Sequence, residues 1–225
     1  MDIIQQVKSF AEKKLVSNKD SAHNIDHIMR TYNLAMELAK RQKVDLKIIK
    51  IAVLLHDIGV TKEQEDHSGK TDHSIESAKM AKPFLQKLGL SKDKIDHILD
   101  CIISHRYRAT IKPSTLEAKI VFDADKVEAL GAIGVARAFV WIGRNNGQIY
   151  KKENLNKYIK ENIYGSKNGR IKDKTKHSPQ LDWELKGKHI ASLLYTKKAR
   201  QIAKRRSKFQ ENFLKELEKE VRGIK

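Results

Sequence analysis

The sequence predicts an all-α protein. Three prolines and eleven glycines in 225 residues leave few helix breakers. Apolar residues recur at three- and four-residue steps along most of the chain. No segment shows the strict alternation of a half-buried strand.

Ile3, Ile4, Val7, Phe10, Ala11 and Leu15 form the stripe of an amphipathic first helix, and Ile28, Leu34, Ala35, Leu38 and Ala39 that of a second. The run from Leu46 to Leu55 is apolar nearly all round, as in a helix through the middle of a core, and leads into His56-Asp57 with Gly59 as its stop. Thr61 to Thr71 is polar and reads as a loop. Ile75, Ala78, Ala81, Phe84, Leu85 and Leu88 mark a fourth helix ending near Gly89, and Ile95, Ile98, Leu99, Ile102 and Ile103 a fifth ending near His105. Past the basic stretch Arg106–Pro113, Ser114-Thr115-Leu116-Glu117 has the form of a capping box. It opens a helix through Ile120, Val121, Ala124, Val127 and Leu130. Gly131-Ala132-Ile133-Gly134 then reads as a tight junction into a helix from Val135 to Trp141. Residues 165–180, with Gly165, Gly169, Pro179 and five basic side chains, read as a long exposed loop. A final helix is expected from Lys186 to Val221, with Ile190, Leu193, Leu194, Ile202, Phe209, Phe213 and Leu217 on its apolar face. One domain is expected over 1–225, with its core at about 20–145 and a basic helical extension at about 150–225.

Charge is unevenly placed. The chain carries +18 overall, yet residues 1–150 hold 24 basic and 19 acidic side chains, against 22 and 9 in residues 151–225. Nucleic acid, nucleotides and anionic membranes all answer such a basic field, and so does a plain solvated helical surface. With 33% charged and 40% hydrophobic residues the chain is too apolar to be disordered. No apolar run approaches the roughly 18 residues of a transmembrane helix, so no membrane partner is expected. The start, MDIIQQVKSF, does not read as a signal peptide. A single cysteine, Cys101, excludes a disulfide framework and fits a reducing compartment, so a cytoplasmic location is expected.

His56-Asp57 stands at the end of a wholly apolar helix, where an unpaired charge-capable pair costs several kcal/mol. A divalent cation satisfies it well, since imidazole and carboxylate ligate zinc, manganese and iron. An isolated His-Asp pair is ordinarily a buried hydrogen bond or a helix cap, so its company decides. Upstream stands Asp26-His27-Ile28-Met29-Arg30, and downstream Asp123-Ala124-Asp125-Lys126 on the capped helix.

His, then His-Asp, then Asp on separate helices resembles the HD superfamily of metal-dependent phosphohydrolases. The likeness runs through His27–Arg30, Leu54–Gly59 and Leu116–Lys126. Gly131–Phe139, Thr196–Ala199, Ala203, Arg206–Phe209 and Phe213-Leu214 extend it to the small stand-alone bacterial and archaeal members. The resemblance implies an HD-type helical bundle with additional C-terminal helices. It also implies a metal held by His27, His56, Asp57 and one carboxylate of Asp123 or Asp125. The family motif reads Ala-Asp before a basic residue, which favours Asp125. Asp123 lies two residues away, about 200° around a helix, so both cannot face one ion. Asp123 then pairs with a ligand histidine or lies outside the site. Two-metal members add a histidine from each of two further helices, with the Asp of the pair bridging the ions. His73 and His105 match that pattern, His67 being a rival to His73. The other histidines, His23, His97, His177 and His189, fall on polar stretches and are expected to face solvent.

The implied chemistry is attack on phosphorus by metal-activated water, in line with the leaving oxygen. Asp57, Lys62 and Arg30 are the expected catalytic side chains. Lys62 stands where family members often carry a phosphate-binding basic residue, and Arg30 faces the same way as His27, each with a solvated charge as its plain alternative. Arg106, Arg108 and Lys126 sit beside implied ligands and extend the anion clamp, each with a solvated charge as its plain alternative. Glu128 orients water or pairs with a lysine. Family members acting as deoxynucleoside monophosphatases or on guanosine tetraphosphate carry Glu three residues after the HD Asp; Val60 stands here. The Gly-Tyr-Pro triplet of cyclic-dinucleotide phosphodiesterases is absent, His105 being followed by Arg106-Tyr107-Arg108. The expectation is therefore a nucleotide phosphohydrolase releasing pyrophosphate from nucleoside triphosphates, ahead of phosphomonoester or dinucleoside polyphosphate cleavage. The rival class is a non-catalytic HD fold that holds nucleic acid on its basic last third, with a metal-dependent nuclease between the two, although 14 aromatic residues in the whole chain offer few stacking platforms. One or two ions of manganese, iron, cobalt, nickel, zinc or magnesium suit the donors equally. Oligomeric state is not legible.

Overall fold

The computed structural model describes residues 2–16, 24–66, 68, 70–106, 111–164 and 169–224. Among these the chain is all-α, with twelve α-helices and, in place of strands, one isolated bridge between Ile163 and Ile171. No described helix is long and apolar enough to cross a membrane. The chain divides into two compact units, Met1–Asp125 and Lys126–Lys225.

The first unit is built around α3 (Leu46–Leu55), in which Ile48, Ile49, Ile51, Ala52, Val53, Leu54 and Leu55 are all buried. Each large apolar side chain so placed stabilises the fold by roughly 1.5–3 kcal/mol. Around it pack α1 (Ile3–Leu15), α2 (Ile25–Ala39), α5 (His73–Lys87) and α6 (Lys92–Ser104). The short α4 (Val60–Glu65) lies on α5, and the unit ends at Asp125, within α7 (Leu116–Glu128). Side chains start these helices at defined residues: Asn24 accepts from Asp26 N and His27 N, Asp45 from Lys47 N and Ile48 N, and Asp72 from Ser74 N.

Three expectations change here. The polar stretch from Thr61 carries α4 rather than a loop, because a six-residue helix is too short to show a period and is held by contact with α5. Gly59 is required for space, not to stop α3. Its φ of −93° is open to any residue, but a Cβ would sit 2.6 Å from Ser77 N and 2.8 Å from His73 O. The capping box is not formed: Thr115 Oγ1 accepts from Ala118 N at 3.1 Å, while Glu117 reaches across to accept from Asp45 N at 2.8 Å.

The second unit holds α8 (Gly131–Arg144), α9 (Leu155–Asn162), α10 (Pro179–Leu185), α11 (Ile190–Leu193) and α12 (Lys197–Val221). Helix α8 opens at Gly131 rather than Val135, so the glycine pair is its first turn. Gly131 has φ +77°, and a Cβ on Gly134 would fall 2.2 Å from Ala129 O. The expected final helix is broken. Leu194 is extended, and Thr196 caps a fresh start by accepting from Ala199 N. The stretch expected as an exposed loop is partly buried: His177 and Ser178 lie inside, and Ser178 caps α10. Gly165 lies outside the described residues. Helix α9 has Leu155, Tyr158 and Ile159 at helical spacing, a stripe that sequence reasoning passed over, and it joins the core through Tyr158, which packs with Ile163, Leu181 and Leu185. His177 is thus not solvent-facing. Its Nδ1 and the Tyr158 hydroxyl form a 2.8 Å hydrogen bond, and its Nε2 lies 3.7 Å from Asp182 Oδ1.

Candidate metal centre

Six side chains from five helices converge in the first unit. The Asn24 cap puts His27 in the first turn of α2, and His56 and Asp57 leave the end of α3. His73 is the first residue of α5, His105 caps the end of α6, and Asp125 comes from α7. His27 Nε2 lies 3.3 Å from His56 Nε2, 3.5 Å from Asp57 Oδ2 and 3.4 Å from Asp125 Oδ1. His56 Nε2 is 3.5 Å from the same Asp57 oxygen and 3.8 Å from Asp125 Oδ1. The other Asp57 oxygen, Oδ1, is 3.4 Å from both His73 Nε2 and His105 Nε2, which are 3.2 Å from each other. Asp57 therefore stands between two groups of donors, one oxygen to each.

Proton bookkeeping tests whether a cation fits. His56 Nδ1 lies 2.7 Å from Val53 O, and His105 Nδ1 2.5 Å from Ile102 O. A carbonyl only accepts, so both Nδ1 atoms carry the proton and both Nε2 atoms present bare lone pairs. His73 Nδ1 likewise donates to Glu63 Oε2 at 2.5 Å. Lone pairs of imidazoles and carboxylates thus face one another in a buried space, an arrangement that a divalent cation satisfies. Ligands about 2.1 Å from a common ion stand about 3.0–3.4 Å apart, close to the spacings here. Burial lowers His56 from 6.5 to about 4 against the pull of Asp57. At Asp57, burial, which favours the neutral acid, is outweighed by the imidazoles around it, which hold its carboxyl well below 3.8. His56 and Asp57 are thus in their cation-binding forms at neutral pH.

A family model of the HD domain matches residues 24–130, the stretch that carries all six side chains. Residues 24–130 are an HD domain. Over 224 residues the chain is 27% identical to the uncharacterized protein YpgQ of Bacillus subtilis, covering 98% of this chain and 94% of that one. Among solved structures, YpgQ in complex with ADP superposes with a TM-score of 0.70 at 24% identity, covering 99% of this chain and 100% of that one. The Lin1889 protein of Listeria innocua gives 0.68 at 25% identity over 100% of both chains. A protein from an uncultured Thermotogales bacterium, described as a predicted HD superfamily hydrolase, gives 0.64 at 24%, covering 96% and 92%.

Within the HD domain, Asp125 and not Asp123 joins the donor group. Asp123 is fully buried elsewhere on α7, as the helical offset requires. Other expected residues have different partners. Lys62 forms a 2.9 Å ion pair with Glu76 at a half-exposed position. Both ends of the Arg106 guanidinium are taken, by Glu63 Oε1 and Asp72 Oδ1, each at 2.7 Å. Arg30 and Lys126 are half-buried on α2 and α7. Glu128, in the second unit, is ion-paired with Arg137 rather than a lysine. His97 is half-buried, with Nε2 3.0 Å from Thr115 Oγ1, and His189 is half-buried too. Arg108, His67 and His23 lie outside the described residues. Sequence reasoning missed Glu63, which lies on the helix hidden in the supposed loop, and Asp72, whose signal was its place as the cap just before His73. Burial works against both carboxylates. Hydrogen bonds from His73 nevertheless hold Glu63 at about 2, and those from Ser74 and Arg106 hold Asp72 at about 2.

The depressed His56 value has a measurable consequence. Between pH 6.5 and about 4 the unfolded chain binds a proton at this position and the folded chain does not. Stability of the cation-free protein therefore falls as pH drops through that window, by on the order of 3 kcal/mol. Urea unfolding of chelator-treated protein at pH 7 and pH 4.5 checks this, and equal midpoints would contradict it.

Proposed function

We propose that the chain is a metal-dependent phosphohydrolase of nucleotides that releases pyrophosphate from nucleoside triphosphates. The observation that carries the reading is Asp57, placed between two groups of inward-facing imidazole nitrogens. His27, His56, Asp57 and Asp125 would hold one divalent cation, and His73, His105 and Asp57 a second. Manganese, iron, cobalt, nickel, zinc and magnesium all suit this mixture of nitrogen and oxygen donors. A cation bound there supplies a Lewis acid for a phosphoryl oxygen and acidifies water. The protein's own contribution is orientation. Val53 O and Ile102 O fix the tautomers and ring planes of His56 and His105, and the apolar end of α3 keeps bulk water from their far side. In the proposed reaction a water oxygen bonds to the α-phosphorus as the bond to the bridging oxygen breaks, and pyrophosphate leaves in line. ADP bound to YpgQ supports a nucleotide as the substrate class.

The test is product identity. Protein with manganese and a panel of ribo- and deoxyribonucleoside triphosphates is followed by phosphorus NMR, with His56→Ala in parallel. Pyrophosphate and nucleoside monophosphate are expected from the wild type, with a loss of roughly a thousandfold in the variant. Orthophosphate as the sole product, or equal turnover by both proteins, would overturn the reading.

One observation favours a second substrate. The first half of α12, Lys197 to Gln210, contains no acidic residue, and Lys197, Lys204 and Arg205 are exposed on it. A nucleic-acid ligand would show steeply salt-dependent affinity that His56→Ala leaves unchanged.

A further inference from the structure

The two halves of the centre are built differently. Four side chains meet around Asp57 Oδ2, and they include the deeply buried His27 and His56. Around Oδ1, among the described residues, stand His73, His105 and Asp57 itself. His73 has a side chain 19% exposed, against 1%, 0% and 2% for the other three imidazoles. It also stands on the first residue of α5, where helices fray. Something must fix it.

Glu63 does so at two points. Its Oε2 accepts from the His73 backbone N at 3.0 Å and from the ring Nδ1 at 2.5 Å. Its other oxygen accepts from Arg106 Nη2 at 2.7 Å. Arg106 Nη1 holds Asp72 Oδ1 at 2.7 Å, and the same oxygen accepts from Ser74 N and Ser74 Oγ. Arg106 directly follows His105, so one guanidinium ties together the supports of both imidazoles in the three-ligand half. It also offsets one of the two negative charges of Glu63 and Asp72.

We propose that Glu63, seated by Arg106, is a positioning residue that holds His73 as ligand to a second divalent cation, so that this clasp sets occupancy of the three-ligand half independently of the other half. The proposal rests on the two-cation reading given above. Without the carboxylate the ring is free to take its other tautomer or swing outward. Loss of such an outer hydrogen bond typically weakens metal affinity about 10- to 100-fold.

The experiment is a manganese titration of the full chain followed by electron paramagnetic resonance, which separates a lone bound ion from a spin-coupled pair. The wild type is expected to bind two ions and show the coupled spectrum. Glu63→Ala should bind the first with unchanged affinity, bind the second about 10- to 100-fold more weakly and lose the coupled spectrum. Glu63→Gln, whose amide oxygen still accepts from Nδ1, should recover part of the loss. Retention of both ions by Glu63→Ala, simultaneous loss of both, or a glutamine variant no better than alanine would each overturn the proposal. A wild type that binds a single ion would instead break the two-cation reading itself, before any substitution is compared.

Discussion

Asp57→Ala is expected to cost roughly a thousandfold or more in nucleotide hydrolysis, and more than Asp125→Ala. The reason is geometric. Asp57 Oδ2 lies 3.5 Å from His27 and His56 Nε2, while Oδ1 lies 3.4 Å from His73 and His105 Nε2. One substitution therefore depletes both donor groups. Removing Asp125 leaves His27, His56 and Asp57 in one half and leaves the other intact. Initial rates of pyrophosphate release from the two variants check the ranking. Equal rates, or a faster Asp57 variant, would mean that the carboxylate does not join two cations.

Gly59→Ala should be the most damaging small substitution near the centre, lowering stability by about 3 kcal/mol. The added Cβ would meet backbone atoms, Ser77 N at 2.6 Å and His73 O at 2.8 Å, and these cannot turn aside as a side-chain tip can. Relief requires α5 to move away from the turn that carries Asp57, and His73 opens that helix. The Gly59 N–H donates to Ser77 Oγ at 2.9 Å, so the same shift weakens a buried hydrogen bond. For a chain of this length such a loss corresponds to a fall of about 6–12 °C in Tm. Gly89→Ala is the control. Gly89 has φ +72° but open space around it, so its cost is conformational alone, about 1 kcal/mol. A Gly59→Ala melting point within about 2 °C of wild type would refute the packing argument.

How much of this was legible depends on which signals are local. The apolar run of α3 and the stripes of α1, α2, α5 and α6 are set by burial on one face, and periodicity reports burial directly. The convergence of His27, His56, Asp57, His73, His105 and Asp125 was readable through a family resemblance, not through spacing. The choice of Asp125 over Asp123 was readable through the family motif, with helical pitch showing only that the two cannot share one ion. Long-range partner choice was not. Nothing near Glu117 says that it will accept from Asp45 N, and nothing near Arg106 says that Glu63 and Asp72 will claim it before a phosphate does. Helix α4 was lost because six residues cannot display a period, and Glu63 was lost with it. His177 was misplaced because a lysine-rich neighbourhood looks solvated, while the ring itself turns inward to Tyr158. The break at Leu194 was missed because apolar spacing continues across it, and only the Thr196 cap marks the restart.

In the proposed centre Asp57 would serve as ligand to both divalent cations. Manganese titration of wild type and Asp57→Ala, read by paramagnetic resonance, tests it most directly. The account predicts two ions per chain and a spin-coupled spectrum for the wild type. For the alanine variant it predicts no coupled spectrum and both affinities weakened by more than about a hundredfold. Two tightly bound ions in Asp57→Ala, or a wild type that never shows coupling at saturation, would contradict it.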